Sequence, residues 1–197
     1  MLRKILWMPL VLCFLYVLLV LIRIPVIDKQ KETEEAIEKI QNQHITAMDV
    51  LNTNPPPVPD QTQNDATLLG IDTNRNGIRD DIELILSNTT STPQVRAGEL
   101  QYAHTLQLYL TEVFNKETWR AVAIQEDRAF QCLGQAFRQE GVNEDDLFLL
   151  MEARVSNIRN LVFNTPKRKE AYKNAMDFIT NFGLENHIVC DIDPSVL

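Results

Sequence analysis

An all-α fold follows from three observations on this 197-residue chain. Apolar residues recur at spacings of three and four, and no stretch alternates apolar with polar as a half-buried strand does. Helix-start signals recur as well: Thr92-Pro93, Asn143 followed by three acidic residues, and Thr165-Pro166. A long uncharged apolar run opens the chain. The expected architecture is an N-terminal transmembrane helix (1–27), a helical stalk (28–53) and a Pro-rich linker (54–67), followed by a domain (68–197) in which a polar loop leads into a bundle of roughly four helices.

Residues 5–22 carry no charge, which is enough to cross a bilayer as one helix, and residues 24–27 extend the run past Arg23. Trp7 lies near an end, where aromatic side chains favour the interface, and Pro9 is tolerated in such a helix. No small-residue cleavage site follows, and Leu12 before Cys13 lacks the small residue of a lipoprotein signal, so a retained anchor is expected. Arg3 and Lys4 flank one end. By the positive-inside rule the N-terminus stays in the cytoplasm, which makes this a single-pass inner-membrane protein with its C-terminal domain in the periplasm.

The formal net charge is -8. Three of the 19 basic residues lie in the first 23 positions, which leaves 16 against 27 acidic residues in the body. Such a body is repelled by nucleic-acid phosphates and by anionic headgroups, so nucleic acid is excluded as a partner. Metal ions and cationic partners fit better, and excess acid also serves solubility.

From 28 to 53 the chain reads as a charged helix with one narrow stripe, Ile37, Ile40, His44, Met48 and Leu51. Residues 37–51 could support weak self-association, or the helix is a plain solvated stalk. His44 reads as a tolerated polar interruption, since no second ligand lies at helical spacing. Asn54 to Asn64 contains Pro55, Pro56, Pro57 and Pro59 with few apolar side chains, which predicts an extended spacer and a domain boundary.

The first element beyond the spacer is Asp72-Thr73-Asn74-Arg75-Asn76-Gly77-Ile78-Arg79-Asp80-Asp81-Ile82-Glu83. It puts oxygen-bearing side chains at positions one, three, five, nine and twelve of a twelve-residue loop, with glycine at six where the chain must turn. This pattern predicts a Ca2+ site. Asp72, Asn74 and Asn76 would give side-chain oxygens, Ile78 its carbonyl, Asp80 a contact through water and Glu83 a bidentate carboxylate. The same D-x-x-E spacing at Asp80 and Glu83 also suits a helix N-terminus, and both readings hold together.

The loop resembles the EF-hand family, and more closely the single calcium loops of dockerin and thrombospondin type 3 repeats. That resemblance implies a metal site and no activity. Two departures stand out: Arg79 occupies loop position eight, where paired EF-hands carry an apolar residue, and no second loop exists for pairing. The segment before the loop is short and broken by Gly70, so a loop with only an exiting helix is expected. Affinity on the order of 10⁻⁴ to 10⁻³ M follows from the modest loop charge.

Past Asp80 the patterns are helical. A short helix is expected to Leu86, then one begun by Thr92 and Pro93 that buries Ala103, Leu106, Leu110 and Val113. A turn near Asn115 leads to a helix with Trp119, Val122, Ala129, Phe130, Leu133, Ala136 and Phe137 inside, stopping at Gly141. The next, capped by Asn143, buries Leu147, Met151, Val155, Ile158 and Val162, and the last buries Ala171, Ala175, Phe178 and Phe182. His104 is expected at the core edge.

Cys132 and Cys190 form the even pair that an oxidising compartment would join as a disulfide. Weaker alternatives are a catalytic cysteine with His187, or a zinc site. The chain has no G-x-S-x-G, no H-E-x-x-H, no phosphate-cradling glycine loop and no C-x-x-C, so no enzyme activity is expected. Glu126-Asp127 and Glu144-Asp145-Asp146 read as solvated helix surface.

The combined layout is similar to that of proteobacterial envelope proteins, which implies a compartment only. The expected role is a membrane-anchored periplasmic module that binds a protein partner and holds one structural calcium. An immunity or inhibitor protein against an envelope-targeting toxin is the alternative within that class, and an envelope hydrolase is the alternative outside it.

Overall fold

The computed structural model describes residues 7–90, 92–181, 183, 188–193 and 196–197, with the side chains of 7–10, 19–22 and 25 left out. Eight helices occur among the described residues: α1 Trp7–Asn42, α2 Ala47–Leu51, α3 Gln61–Ala66, α4 Asp80–Thr89, α5 Pro93–Thr111, α6 Lys116–Gln139, α7 Glu144–Val162 and α8 Pro166–Met176. No strand occurs among them. The fold is all-α, as the periodicity predicts.

The caps expected at Thr92, Asn143 and Thr165 form, and Asn115, where only a turn is expected, caps as well. Thr92, Asn115, Asn143 and Thr165 each accept the backbone N–H three residues on, with Pro93 and Pro166 in the first turn of their helices. Each side-chain oxygen satisfies one of the donors that a helix start leaves unpaired. Past the end of α6, Gly141 takes φ +84°, the left-handed conformation that ends a helix.

The central helix is α5, buried at every residue from Ala97 to Leu110 and packed on α2, α4, α6, α7 and α8. It crosses α6 closely at Gly98, where a Cβ would stand 2.7 Å from the Leu133 Cα. Polar side chains buried on α5 serve as sockets for the surrounding loops. Gln107 accepts from the Arg79 N–H at 3.1 Å and donates to the Gly77 carbonyl. Gln101 donates to the Val189 carbonyl and accepts from the Asp191 N–H, both at 3.0 Å.

The expected separation into stalk, spacer and domain is corrected. The far end of α1 packs on α6, with Ile40 0% exposed and joined in the core by Ile45 and Val50. The stripe over 37–51 does not lie on one helix, because the chain leaves helix at 43–46; Ile37 and Ile40 face the core while Met48 and Leu51 stay exposed. Nor is the proline tract a free spacer. Helix α3 forms within it, capped by Asp60, and fully buried Arg168 donates to the carbonyls of Asn64, Thr67 and Leu68 and to Asp65. Sequence composition misses both because the burying partners lie far downstream, 82 residues on from Thr33 to Asn115 and 100 from Leu68 to Arg168.

Among the described residues no helix is long and apolar enough to cross a membrane. The expected span over 5–22 falls partly outside them. Within it, Val11, Leu12, Phe14, Leu15, Tyr16, Val17 and Leu18 are all exposed. Phe130, expected inside, is 43% exposed, and Phe182 lies outside the described residues.

Candidate metal centre

The twelve-residue loop follows Gly70, at φ +70°, and its last residues, 80–83, form the first turn of α4. Its ends are tied by the Asp80 N–H donating to the Ile71 carbonyl at 2.8 Å. Before it, the Asn64 side chain accepts from the Ile71 N–H at 2.8 Å. No full helix enters the loop, as expected. The turn itself needs Gly77, which has φ +82° and lies against the buried ring of His104; a Cβ there would meet Nε2 and Cδ2 at 2.6 Å.

Ile78 and Arg79 are both 0% exposed. Ile78 and Ile82 insert into the core, which explains why an apolar residue follows the glycine. Arg79 ties the loop to the bundle. Its Nε and Nη2 grip Asp81 at 2.6 and 3.0 Å, while Nη1 and Nη2 reach the carbonyls of Val162 and Leu161 at the end of α7. A cation there also suits the negative end of the helix dipole.

Inside the loop, Asp72 accepts from the Gly77 N–H at 3.0 Å and the Asn76 N–H at 3.3 Å. Asn74 and Asn76 direct their Nδ2 groups to Glu83 Oε2 at 3.0 and 3.1 Å. Asp80 is turned elsewhere: it accepts the Thr73 N–H at 2.9 Å and the Thr73 hydroxyl at 2.6 Å. The structure therefore brings Asn74, Asn76 and Glu83 together, sets Asp72 on the loop backbone, and engages Asp80 with Thr73. Among the described residues no three of His, Cys, Asp and Glu stand close enough together to hold a metal ion.

The electrostatics are those of acids short of compensating charge. Burial pushes the Glu83 carboxyl above its ordinary range, and the neighbouring Asp49 and Asp80 add to the rise. Asp72 is pushed up in the same way by burial, partly offset by the backbone N–H groups it accepts. The residue types of the donor set, carboxylates, a carbonyl and two amides, are those that suit a hard cation, but as placed the Asn74 and Asn76 Oδ1 atoms accept the Asn76 and Ile78 N–H groups at 3.3 and 2.9 Å. As placed, those amide nitrogens supply the partial positive charge that Glu83 requires.

Several of the structure's polar partners were not legible in the sequence. Asp49 accepts from Asn76 Nδ2 at 3.0 Å although it lies 27 residues away. His44 is no mere interruption; its Nδ1 lies 3.0 Å from Asp191, which Arg128 and the Ile45 N–H also hold. His104 is buried outright, and burial lowers its pKa to about 4. Glu126 is not solvated surface: Tyr102 and Tyr109 donate to it at 2.9 Å and Arg159 at 2.5 Å. Arg159 also donates to Tyr172, which stacks on Phe163. Only tyrosine and arginine at matching helix faces could have signalled that network.

Cys132 and Cys190 are joined, with S–S 2.08 Å and Cα–Cα 5.0 Å. The bridge holds the tail against α6 and leaves no reactive thiol there; His187 lies outside the described residues. Exposed Cys13 is the free cysteine.

Fold and loop together define a helical bundle carrying one oxygen-rich polar turn at its edge. No protein-family model matches the chain, and neither curated proteins nor solved structures give a match.

Proposed function

We propose that the chain is a membrane-anchored periplasmic module that binds a protein partner and holds one structural calcium in the loop 72–83. The observation that carries the binding reading is the surface between α6 and α7. Phe130, Gly134, Leu147, Phe148 and Met151 line a groove of about 400 Å³, in which Phe148 is 71% exposed, and neighbouring Leu149 is exposed as well. Exposed apolar side chains clustered on a rigid helix pair are what a partner's apolar anchor fits. The run of exposed apolar residues from Val11 to Leu18 supports the anchor.

For calcium, Asp72, Asn74, Asn76 and Glu83 are the residues that would hold the ion, with the Ile78 carbonyl. Bound there, calcium would supply the positive charge that half-buried Asp72 and buried Glu83 need. The chain's own part is to fix the loop through Arg79, Gly77 and Gln107.

A photo-crosslinking residue placed at Phe148 of the full-length protein, with exposed Leu69 as control, tests the binding reading in the native envelope. A discrete adduct at position 148 that is missing at 69 is expected, and its loss in chelator would tie binding to the loop. No adduct at 148, or equal smears at both positions, removes the groove as a binding face.

A further inference from the structure

We propose that the turn between α5 and α6, residues 112–115, rests through Phe114 on the phospholipid headgroups of the bilayer that α1 spans; this rests on the anchor reading of α1. The helix that carries the apolar run continues unbroken from Trp7 to Asn42, so anchor and bundle share one rod. From Trp7 to Ile27 it rises about 30 Å, the thickness of a hydrocarbon core. Ile24, Val26 and Ile27 are exposed, as lipid-facing side chains are. From Ile27 to Thr33 the rise is only about 9 Å more, and the headgroup layer on each side is about 5–8 Å deep.

At Thr33 the bundle begins. Asn115 donates to the Thr33 hydroxyl at 2.8 Å. Eleven residues beyond Thr33 and thirteen beyond Asn115, His44 and Arg128 meet at Asp191, each at 3.0 Å. Helices α1 and α6 therefore run side by side in one direction, and the start of α6 is its membrane-facing end. Helix α5 runs the other way along α6, with Gly98 against Leu133 and Tyr109 donating to Glu126. The 112–115 turn is thus the tip of the α5–α6 hairpin, and it points at the bilayer.

The side chains at this tip suit a headgroup layer. Phe114 is 39% exposed, and Lys116 beside it is exposed. The backbone is fixed, because the N–H groups of Phe114 and Asn115 both donate to the Thr118 hydroxyl, at 3.1 and 3.2 Å. Glu112, the acid in the turn, is held by Lys39. An exposed aromatic ring at this height buries apolar area in the interface, and a lysine stem carries its ammonium to phosphate oxygens. The body as a whole is acidic, so the surface that fits is zwitterionic phospholipid. Along α6, Gly134 in the Phe148 groove lies about 27 Å beyond Lys116, so the groove is carried away from the bilayer.

Full-length protein reconstituted in phosphatidylcholine vesicles tests this, with lipids that carry a nitroxide quencher either on the headgroup or at mid-chain. A fluorophore is attached to native Cys13, which is free, and in a Cys13→Ser background to Lys116→Cys or Phe148→Cys. The expected result is loss of fluorescence at 13 to the chain quencher, loss at 116 to the headgroup quencher, and none at 148. Adding Phe114→Ser to the Lys116→Cys protein should restore the fluorescence at 116. Loss at 13 without loss at 116, or equal loss at 116 and 148, overturns the contact and leaves the anchor standing. A loss at 116 that Phe114→Ser leaves unchanged overturns the contact through Phe114. No loss at 13 overturns the anchor and the contact with it.

Discussion

Arg79 donates through Nη1 to the carbonyl of Val162 at 3.2 Å, joining the loop 72–83 to the end of α7 across 83 positions of sequence. The same guanidinium holds Asp81, so its removal strands a partly buried acid and two helix-end carbonyls. Arg79→Ala should cost about 3 kcal/mol. A lowered urea midpoint with an unchanged slope is the expected readout.

Two left-handed glycines separate backbone strain from crowding. Gly141, at φ +84°, has open space where a Cβ would stand, whereas at Gly77, with φ +82°, a Cβ would meet the His104 ring at 2.6 Å. Gly141→Ala should lose about 1 kcal/mol, the left-handed penalty alone. Gly77→Ala should lose at least about 1 kcal/mol more, because a buried ring must move. Paired thermal melts compare them directly.

Ile40 lies in the core while Met48, on the next helix, is exposed. Ile40→Ala is expected to destabilise the fold by about 3 kcal/mol, and Met48→Ala by no more than about 0.5 kcal/mol. Equal, small effects in chemical denaturation would return residues 28–53 to the role of a solvated stalk.

The Cys132–Cys190 bridge closes a separation of 58 residues. In the chain-entropy model its reduction lowers stability by about 4 kcal/mol. Because both cysteines are buried, reduction in the native state should be slow and accelerate in urea, which a timed thiol-alkylation assay measures.

Glu99 on α5 is buried, with the Thr90 hydroxyl donating to it and Arg154 at 3.5 Å, and burial still pushes its carboxyl above the ordinary range. The folded state therefore holds this proton more tightly than the unfolded state. Its ionisation costs stability as pH rises from about 4.5 through the raised value, and the cost is relieved on acidification. Glu99→Gln should raise the unfolding free energy at pH 7 by on the order of 1 kcal/mol, read in urea denaturation, and give no gain below pH 4.5. An equal gain at both pH values would assign the effect to packing.

The helices and their caps were legible because their causes are local: Thr92, Asn143 and Thr165 each act within three residues. The loop pattern was legible for the same reason, down to the conformational demand on Gly77. What lay beyond the sequence was pairing at long range. Asp49 with Asn76, His44 with Asp191, Glu126 with Arg159, and Arg168 with the proline tract each join residues whose local surroundings suggest solvent. Composition marked residues 54–67 as a boundary, but an arginine from α8 supplies the partners that segment lacks. Phe130 erred the other way: its helical spacing is that of a core residue, yet the α6–α7 groove leaves its ring open.

The docking of α1 on α6 has a consequence for biosynthesis. Thr33 and Asn115, which hydrogen-bond across this seam, are 82 residues apart. At about 5–20 residues per second, the first helix leaves the ribosome roughly 4–16 s before its partner exists. For that interval Ile37 and Ile40 must be shielded by something other than their final neighbours, so the nascent chain offers chaperones a transient binding segment that the finished protein conceals.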